Sequence, residues 1–452
     1  MTTIIQRLSL PEQVDVDALP GGHQEAHERA HRLIPGGCHT YAKGDDQYPE
    51  EAPCFIEKGK GCHIWDQRGR RYIEYGMGLR AVTLGHAYTP VIEAAYEQMC
   101  RGLNFNRPSS LEGRAAEALL SVLPRAEQVK FAKDGSTVLT AAVTLARAYT
   151  GRVKVAICAD HPFFSYNDWF MITTGIPAGI PEVRRQETVT FRYNDLASIE
   201  KLFEEHPGEI ACVILEAART EEPAHGFLHA ARELAHRHGA LFILDEMITG
   251  FRWDIGGAQQ VYDIDPDLSA FGKALGNGFA VSALAGKREI MDLGGLHHER
   301  ERVFLLSTTH GAELSALAAA MAVIQAYKTL DVVPVLYRQG DRLRQGIQKT
   351  IDELRLAPHF SVDGRSCCLI YGTRDNEGRP SQPFRTLFLQ ELLRHGVLAP
   401  NFVVSYSHSD DDIDRTVEGV SEALQVYRKA LDEGVEKYLK GRPVKPVYRR
   451  FN

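Results

Sequence analysis

One side chain in this sequence could do covalent chemistry on a carbonyl compound, Lys273, and 28 residues before it Asp245 could supply the charge that chemistry needs. Lys273 lies in Ser-Ala-Phe-Gly-Lys-Ala-Leu-Gly, an apolar, Gly-punctuated setting. An amine must be neutral to attack an aldehyde, and an apolar pocket lowers its pKa toward that state. Lys287, followed by Arg288 and Glu289, has no such setting. Asp245 follows four apolar residues, Leu241, Phe242, Ile243 and Leu244, and precedes Glu246. A short apolar run of this kind reads as a buried parallel strand, so Asp245 falls at its carboxyl end, where open α/β sheets gather their ligands. A carboxylate held there favours the protonated form of a pyridine nitrogen, and a protonated pyridine acts as an electron sink. A buried amine and a buried acid are together what pyridoxal phosphate needs.

An apolar run ending in Asp-Glu is also what an ATPase strand looks like. That reading requires a phosphate loop. The pairs Gly59-Lys60, Gly272-Lys273 and Gly286-Lys287 are followed by Gly61, Ala274 and Arg288, never by Ser or Thr, so the motif is missing. A phosphate can be held elsewhere. Asp134-Gly135-Ser136-Thr137 follows a predicted strand and precedes an apolar-periodic helix; glycine admits the anion to the backbone, the hydroxyl donates, and the helix N-terminus supplies free N–H groups. The same residues also make a good N-cap. Ser307-Thr308-Thr309 precedes an Ala-rich helix in the same manner, and the aromatic cluster at Phe163, Phe164, Tyr166, Trp169 and Phe170 offers a ring to stack on a flat ligand.

The elements that must position these groups alternate. Strands are predicted at 128–131, 153–158, 212–215, 241–245 and 281–285, with helices such as 139–149 and 228–238 between them. This pattern implies an α/β fold whose mostly parallel central sheet is covered by helices. Three parts follow: an N-terminal segment at 1–85 with a helix near 24–33 and a small meander (53–56, 61–66, 72–75); a large α/β domain at 86–330; and a C-terminal α+β domain at 331–452, with long helices at 333–354 and 411–431 and short strands around 361–371. The basic tail after Glu433 reads as a loosely ordered terminus, with docking on a partner subunit as the other reading.

At 452 residues the chain exceeds a single core. Its net charge of −7 argues against a nucleic-acid partner. Eight cysteines without a C-x-x-C pair, several in apolar stretches, suit reduced thiols of a cytoplasmic protein. An acidic N-terminus (Glu12, Asp15, Asp17) does not read as a signal peptide, and no apolar stretch approaches the ~20 residues of a membrane span.

Read in order, these segments resemble the class III pyridoxal phosphate aminotransferases, most closely their glutamate-1-semialdehyde 2,1-aminomutase branch. The resemblance runs from Ile34-Pro35-Gly36-Gly37 through Gly59 to Asp66, Leu84-Gly85-His86-Ala87, Leu145 to Arg152, Gly239 to Arg252, Gly256 to Gln259 and Pro266-Asp267-Leu268, as far as Asp411 to Arg415. It implies fold type I, with the smaller α+β domain built from the N- and C-terminal segments. It also implies that Lys273 forms the Schiff base with the cofactor, that Asp245 pairs with its ring nitrogen, that Gly135 and Ser136 bind its phosphate, and that Glu216 lies near its oxygen. Met247 would pack beneath the ring, Phe163 would stack on it where the family has tyrosine, and Thr309 would reach the phosphate of the neighbouring subunit in a homodimer with shared sites.

The chain departs from that branch after Pro-Gly-Gly. There the aminomutase holds its substrate carboxylate with Ser and Arg, whereas this chain has Thr40 and Lys43, followed by Asp45 and Asp46. Lysine is a point charge and no bidentate clamp, and the adjacent Asp45 and Asp46 would disfavour an anionic substrate. The expectation is therefore amino transfer from a small-molecule amine donor to an aldehyde or ketone acceptor, sugar-like given the polar entrance at 43–47. The alternatives are the aminomutase itself, which keeps the amine within one substrate, and a non-catalytic protein that binds pyridoxal phosphate as a partner subunit. Metal ligation is not expected.

Overall fold

The computed structural model describes residues 22–451; Glu12, Asp15 and Asp17 lie outside them. The described chain opens with helix α1 (Gly22–Leu33) and a meander of β1 (Ile56–Lys60), β2 (His63–Asp66) and β3 (Arg71–Glu74). The first strand begins where the sequence pattern placed its end. Ile-Glu-Lys-Gly-Lys is a mostly exposed edge strand, so it carries none of the apolar alternation by which strands are recognised.

Helices α2 (Thr89–Met99) and α3 (Ser110–Leu120) lead into β4 (Gln128–Ala132), α4 (Gly135–Thr150), β5 (Lys154–Cys158), β6 (Thr188–Phe191) and β7 (Ile210–Glu216). Then come α5 (Phe227–Arg237), β8 (Leu241–Asp245), β9 (Leu268–Phe271) and β10 (Ser282–Gly286). Strands β4 to β10 form one sheet in the order β4-β10-β9-β8-β7-β5-β6. All run parallel except β10, which is antiparallel to both its neighbours. Every residue of β7 and β8 is buried, as expected of parallel strands covered on both faces. Two strands carry no such signal: β9 is four residues beside Pro266-Asp267, and β6 is Thr-Val-Thr-Phe at the sheet edge.

Beyond the sheet, α6 (Leu314–Thr329) packs on α2 and α3. Next come α7 (Val332–Glu353), the hairpin β11 (Phe360–Asp363) and β12 (Ile370–Thr373), α8 (Gln382–Arg394), β13 (Val397–Leu398) and α9 (Asp410–Glu433). β13 joins the N-terminal meander, pairing parallel with β3 at Val397↔Ile73. The two ends are further tied by Tyr75, which donates to Thr416 Oγ1 at 2.8 Å, and by His63 Nε2, 3.0 Å from Asp412 Oδ1.

The basic tail is not loose. Arg449 lies 2.7 Å from Asp46, Arg442 donates to the Asp45 carbonyl at 2.9 Å, and Lys445 N–H donates to the Asp46 carbonyl at 2.9 Å. The tail thus docks on the N-terminal segment of its own chain, where opposite charges meet. Among the described residues no single helix is long and apolar enough to cross a membrane.

Candidate active site

Because β4, β5, β7, β8 and β9 run the same way, their carboxyl ends share one edge of the sheet. Gly135 follows β4, His161 follows β5, Glu216 ends β7, Asp245 ends β8, and Gly272-Lys273 follows β9. Topology therefore gathers residues that are up to 138 positions apart in sequence.

Asp245 and Glu216 are register partners on adjacent strands, each 4% exposed. Asp245 Oδ1 accepts from Met247 N–H at 2.9 Å. His161 Nδ1 accepts from Glu216 N–H at 3.0 Å, while Glu216 Oε2 is buried with no hydrogen-bond partner among the described residues. Burial raises the Asp245 carboxyl above the usual carboxylate range; the Glu216 charge adds to the rise and Lys273 opposes it. The Lys273 amine is pushed below the ordinary lysine value by burial, against the pull of Asp245 and Glu216. Lys273 has φ of 46° and opens a short 3-10 turn that ends at Asn277, also left-handed at 44°. Asn277 accepts from Leu84 N–H at 2.9 Å and donates to the Gly85 carbonyl at 3.1 Å, which fixes the lysine turn against the N-terminal segment.

The α4 N-terminus is capped by Asp134, which accepts from Thr137 N–H at 2.8 Å. Ser136 is buried; its hydroxyl oxygen accepts from Tyr166 N–H at 3.2 Å, leaving its own proton to donate. A Cβ on Gly135 would stand 2.9 Å from Met247 Sδ, and one on Gly272 2.6 Å from the same sulfur. Met247 is thus seated between the two glycines, which ties the β4 turn to the lysine turn.

A family model described as Aminotransferase class-III matches residues 44–424. The chain belongs to the class III aminotransferases. It is 33% identical to the glutamate-1-semialdehyde 2,1-aminomutase of Desulforamulus reducens, over 90% of this chain and 98% of that one. It is 30% identical to the 3-aminobutyryl-CoA aminotransferase of Cloacimonas acidaminovorans, over 89% and 97%. The structure of Sphingopyxis sp. MTA144 FumI in its pyridoxal phosphate internal aldimine form superposes with a TM-score of 0.82 at 26% identity, covering 91% of this chain and 97% of that one. This class III aminotransferase is a pyridoxal phosphate enzyme of fold type I, and its reaction is amino transfer.

The carboxyl edge fits that cofactor. A buried carboxylate oxygen on Glu216 without a hydrogen-bond partner among the described residues, a helix N-terminus with a glycine at its first position, and a buried amine whose pKa is lowered each match one part of it. Of the aromatic cluster after β5, Phe163, at 80° to Phe170, and Tyr166 are exposed, whereas Phe164, Trp169 and Phe170 are buried in the core. Thr309 stands apart in this single chain. It is exposed, its carbonyl accepts from Asn104 Nδ2 at 2.9 Å, and among the described residues no hydrogen bond joins it to the other site residues.

Thr40 and Lys43 part company. Lys43 lines a cavity of about 820 Å³ together with His31, Asp45, Glu50, Gly78 and Leu79, whereas exposed Thr40 is not in its wall. Asp45 and Asp46 face Arg442 and Arg449, so they are largely neutralised and do not repel an anion as the bare sequence implies. Four further groups have no clear signal in the sequence: His161, Asn277, and the guanidinium groups of Arg80 and Arg252, both near enough to Lys273 to lower its pKa. Only Asn277, between two glycines at a helix-breaking position, could have been flagged.

Proposed function

We propose that this class III aminotransferase moves an amino group between two separate molecules, from an amine donor to an aldehyde or ketone acceptor, with Lys273 as its reactive amine. The observation that carries the reading is the lysine turn itself: a lysine on a left-handed turn after β9, at the same carboxyl edge of the parallel sheet as the buried, register-paired Asp245 and Glu216. Pyridoxal phosphate, when bound, supplies an aldehyde that condenses with amines and a ring that accepts the electron pair left when a proton leaves the adjacent carbon. Burial lowers the pKa of Lys273 Nζ toward the uncharged form, the form that can hold the cofactor and, once released, carry the proton from one carbon to the next. Asp245 would hold the proton on the ring nitrogen, Gly135 and Ser136 the phosphate, Met247 and Phe163 the two ring faces, and Glu216 the region of the ring oxygen. Thr309 would serve the site of a second subunit in a homodimer, which its separation from the other groups supports. Free thiols throughout support a cytoplasmic location.

The polar side chains His31, Lys43, Asp45 and Glu50, which interrupt the otherwise mostly apolar wall of the large cavity, support a hydroxyl-rich, sugar-like acceptor. The aminomutase reading draws on the relative at 33% identity; against it stands the loss of a paired Ser and Arg at Thr40 and Lys43. Purified enzyme given glutamate 1-semialdehyde and no second amine decides between them. Formation of 5-aminolevulinate at a useful rate supports the mutase, and its absence together with loss of the cofactor band on adding a separate amine supports intermolecular transfer.

A further inference from the structure

Arg80 ends an unusual turn. Met77, Gly78, Leu79 and Arg80 have φ of 41°, 59°, 59° and 71°, so three residues with side chains occupy the left-handed region within four positions. Such a conformation persists only where the surroundings over-determine it, and it gathers at ligand sites. Here the surroundings are the active-site segments. Arg252, fully buried seven residues after Asp245, donates through Nη2 to the Arg80 carbonyl and to Thr83 Oγ1 (3.2 Å), and through Nη1 to the Ile248 carbonyl. Asn277, four residues after Lys273, holds Leu84 and Gly85 just beyond the turn.

The side chain so fixed is uncommitted. Among the described residues Arg80 Nε is buried with no hydrogen-bond partner, and no carboxylate pairs with its guanidinium. The Asn401 amide, with its oxygen turned toward the guanidinium, lies 3.3 Å from Nη2. Its charge also reaches Lys273, whose pKa it lowers. A half-buried, unpaired cation beside a reactive amine is costly unless an anion arrives to meet it.

We propose that Arg80, with Asn401 beside it, binds the carboxylate of the amino donor. This rests on the amino-transfer reading above. A donor amine must come to where Lys273 reacts, so a carboxylate one carbon away lands next to that amine, within reach of a guanidinium whose planar fork matches it bidentately. Lys43, on the cavity wall, offers only a point charge.

The test uses holoenzyme and two probes, aminooxyacetate and methoxyamine. Both condense with the cofactor aldehyde and bleach its visible band, but only the first carries a carboxylate. Arg80→Gln should slow bleaching by aminooxyacetate about 10- to 100-fold, as follows from losing charge-assisted hydrogen bonds, and leave methoxyamine unchanged. Arg80→Lys should recover part of the loss. Asn401→Asp, which puts a competing carboxylate beside the guanidinium, should act in the same direction as Arg80→Gln and keeps the test open if that variant does not hold cofactor. With α-amino acid donors the same variants should raise KM more than they lower kcat. Equal slowing of both probes, or of neither, overturns the assignment. Wild-type enzyme that reacts with both probes but with no amine donor would instead overturn the amino-transfer reading.

Discussion

The seating of Met247 between Gly135 and Gly272 makes a prediction that needs no cofactor. Met247→Ala removes a side chain that is 5% exposed and should destabilise the apo enzyme by about 2–5 kcal/mol, through lost transfer free energy and the cavity left behind. Gly135→Ala alone places a methyl 2.9 Å from Met247 Sδ and 3.3 Å from its Cε and Cγ. The sulfur must move by a few tenths of an ångström. Thioether chains adapt easily, so the cost sits near the low end of overpacking, about 1 kcal/mol, and the better helix propensity of alanine offsets part of it. In the Met247→Ala background the obstacle is gone and the methyl fills part of the void, so the same substitution should stabilise by about 0.5–1 kcal/mol. The coupling free energy is then about 1–2 kcal/mol in favour of the double variant. Urea unfolding of the four apo proteins, at one fixed protein concentration because the chain is proposed to dimerise, measures the cycle. Additivity within about 0.5 kcal/mol would refute the packing argument.

His408 carries a pH dependence. It is buried against Tyr75 with its Nδ1 accepting from Ser405 N–H, and burial lowers its pKa from the ordinary 6.5 to about 4. Between those values the unfolded chain binds the proton and the folded chain does not, so stability rises with pH through this window and is complete above it. The two values put the loss at pH 5 at about 2 kcal/mol, which should appear as the difference between the unfolding curves of wild type and His408→Gln and vanish near pH 7.5. Asp245→Asn keeps an oxygen for Met247 N–H but loses the charge, so it should bind cofactor and slow the half-reaction with an amine about 10²- to 10³-fold, measured by stopped-flow absorbance. Mixing Lys273→Ala and Thr309→Ala subunits should restore one intact cofactor site per hybrid dimer, read by cofactor titration; hybrids no better than their parents would separate Thr309 from the partner's site.

The core of the site was legible because it is written in local pattern. Leu241 to Asp245 is an unbroken apolar run ending in an acid, and Lys273 is a lysine where lysines are rarely found; both properties survive folding unchanged. Arg80 was not legible, since its isolation arises from a left-handed turn clamped by Arg252, 172 positions away. Asp45 and Asp46 read as a repelling entrance until the C-terminal tail, nearly the whole chain length distant, brought Arg442 and Arg449 to them. β6 and β9 are strands by virtue of their neighbours rather than their own composition, the usual result when tertiary pairing overrides propensity. Thr309, which we propose serves the site of a second subunit, makes no hydrogen bond to the other site residues within one chain, and no pattern within one sequence carries such a distance.

The central claim is that Lys273 is the amine joined to pyridoxal phosphate. Reducing the holoenzyme with borohydride fixes that bond, and peptide mapping by mass spectrometry then locates it. The modification should fall on Lys273 alone, and Lys273→Ala should lack both the modified peptide and the visible cofactor band while Lys287→Ala keeps them. Label on Lys287 or another lysine, or an unchanged band in Lys273→Ala, would contradict the account.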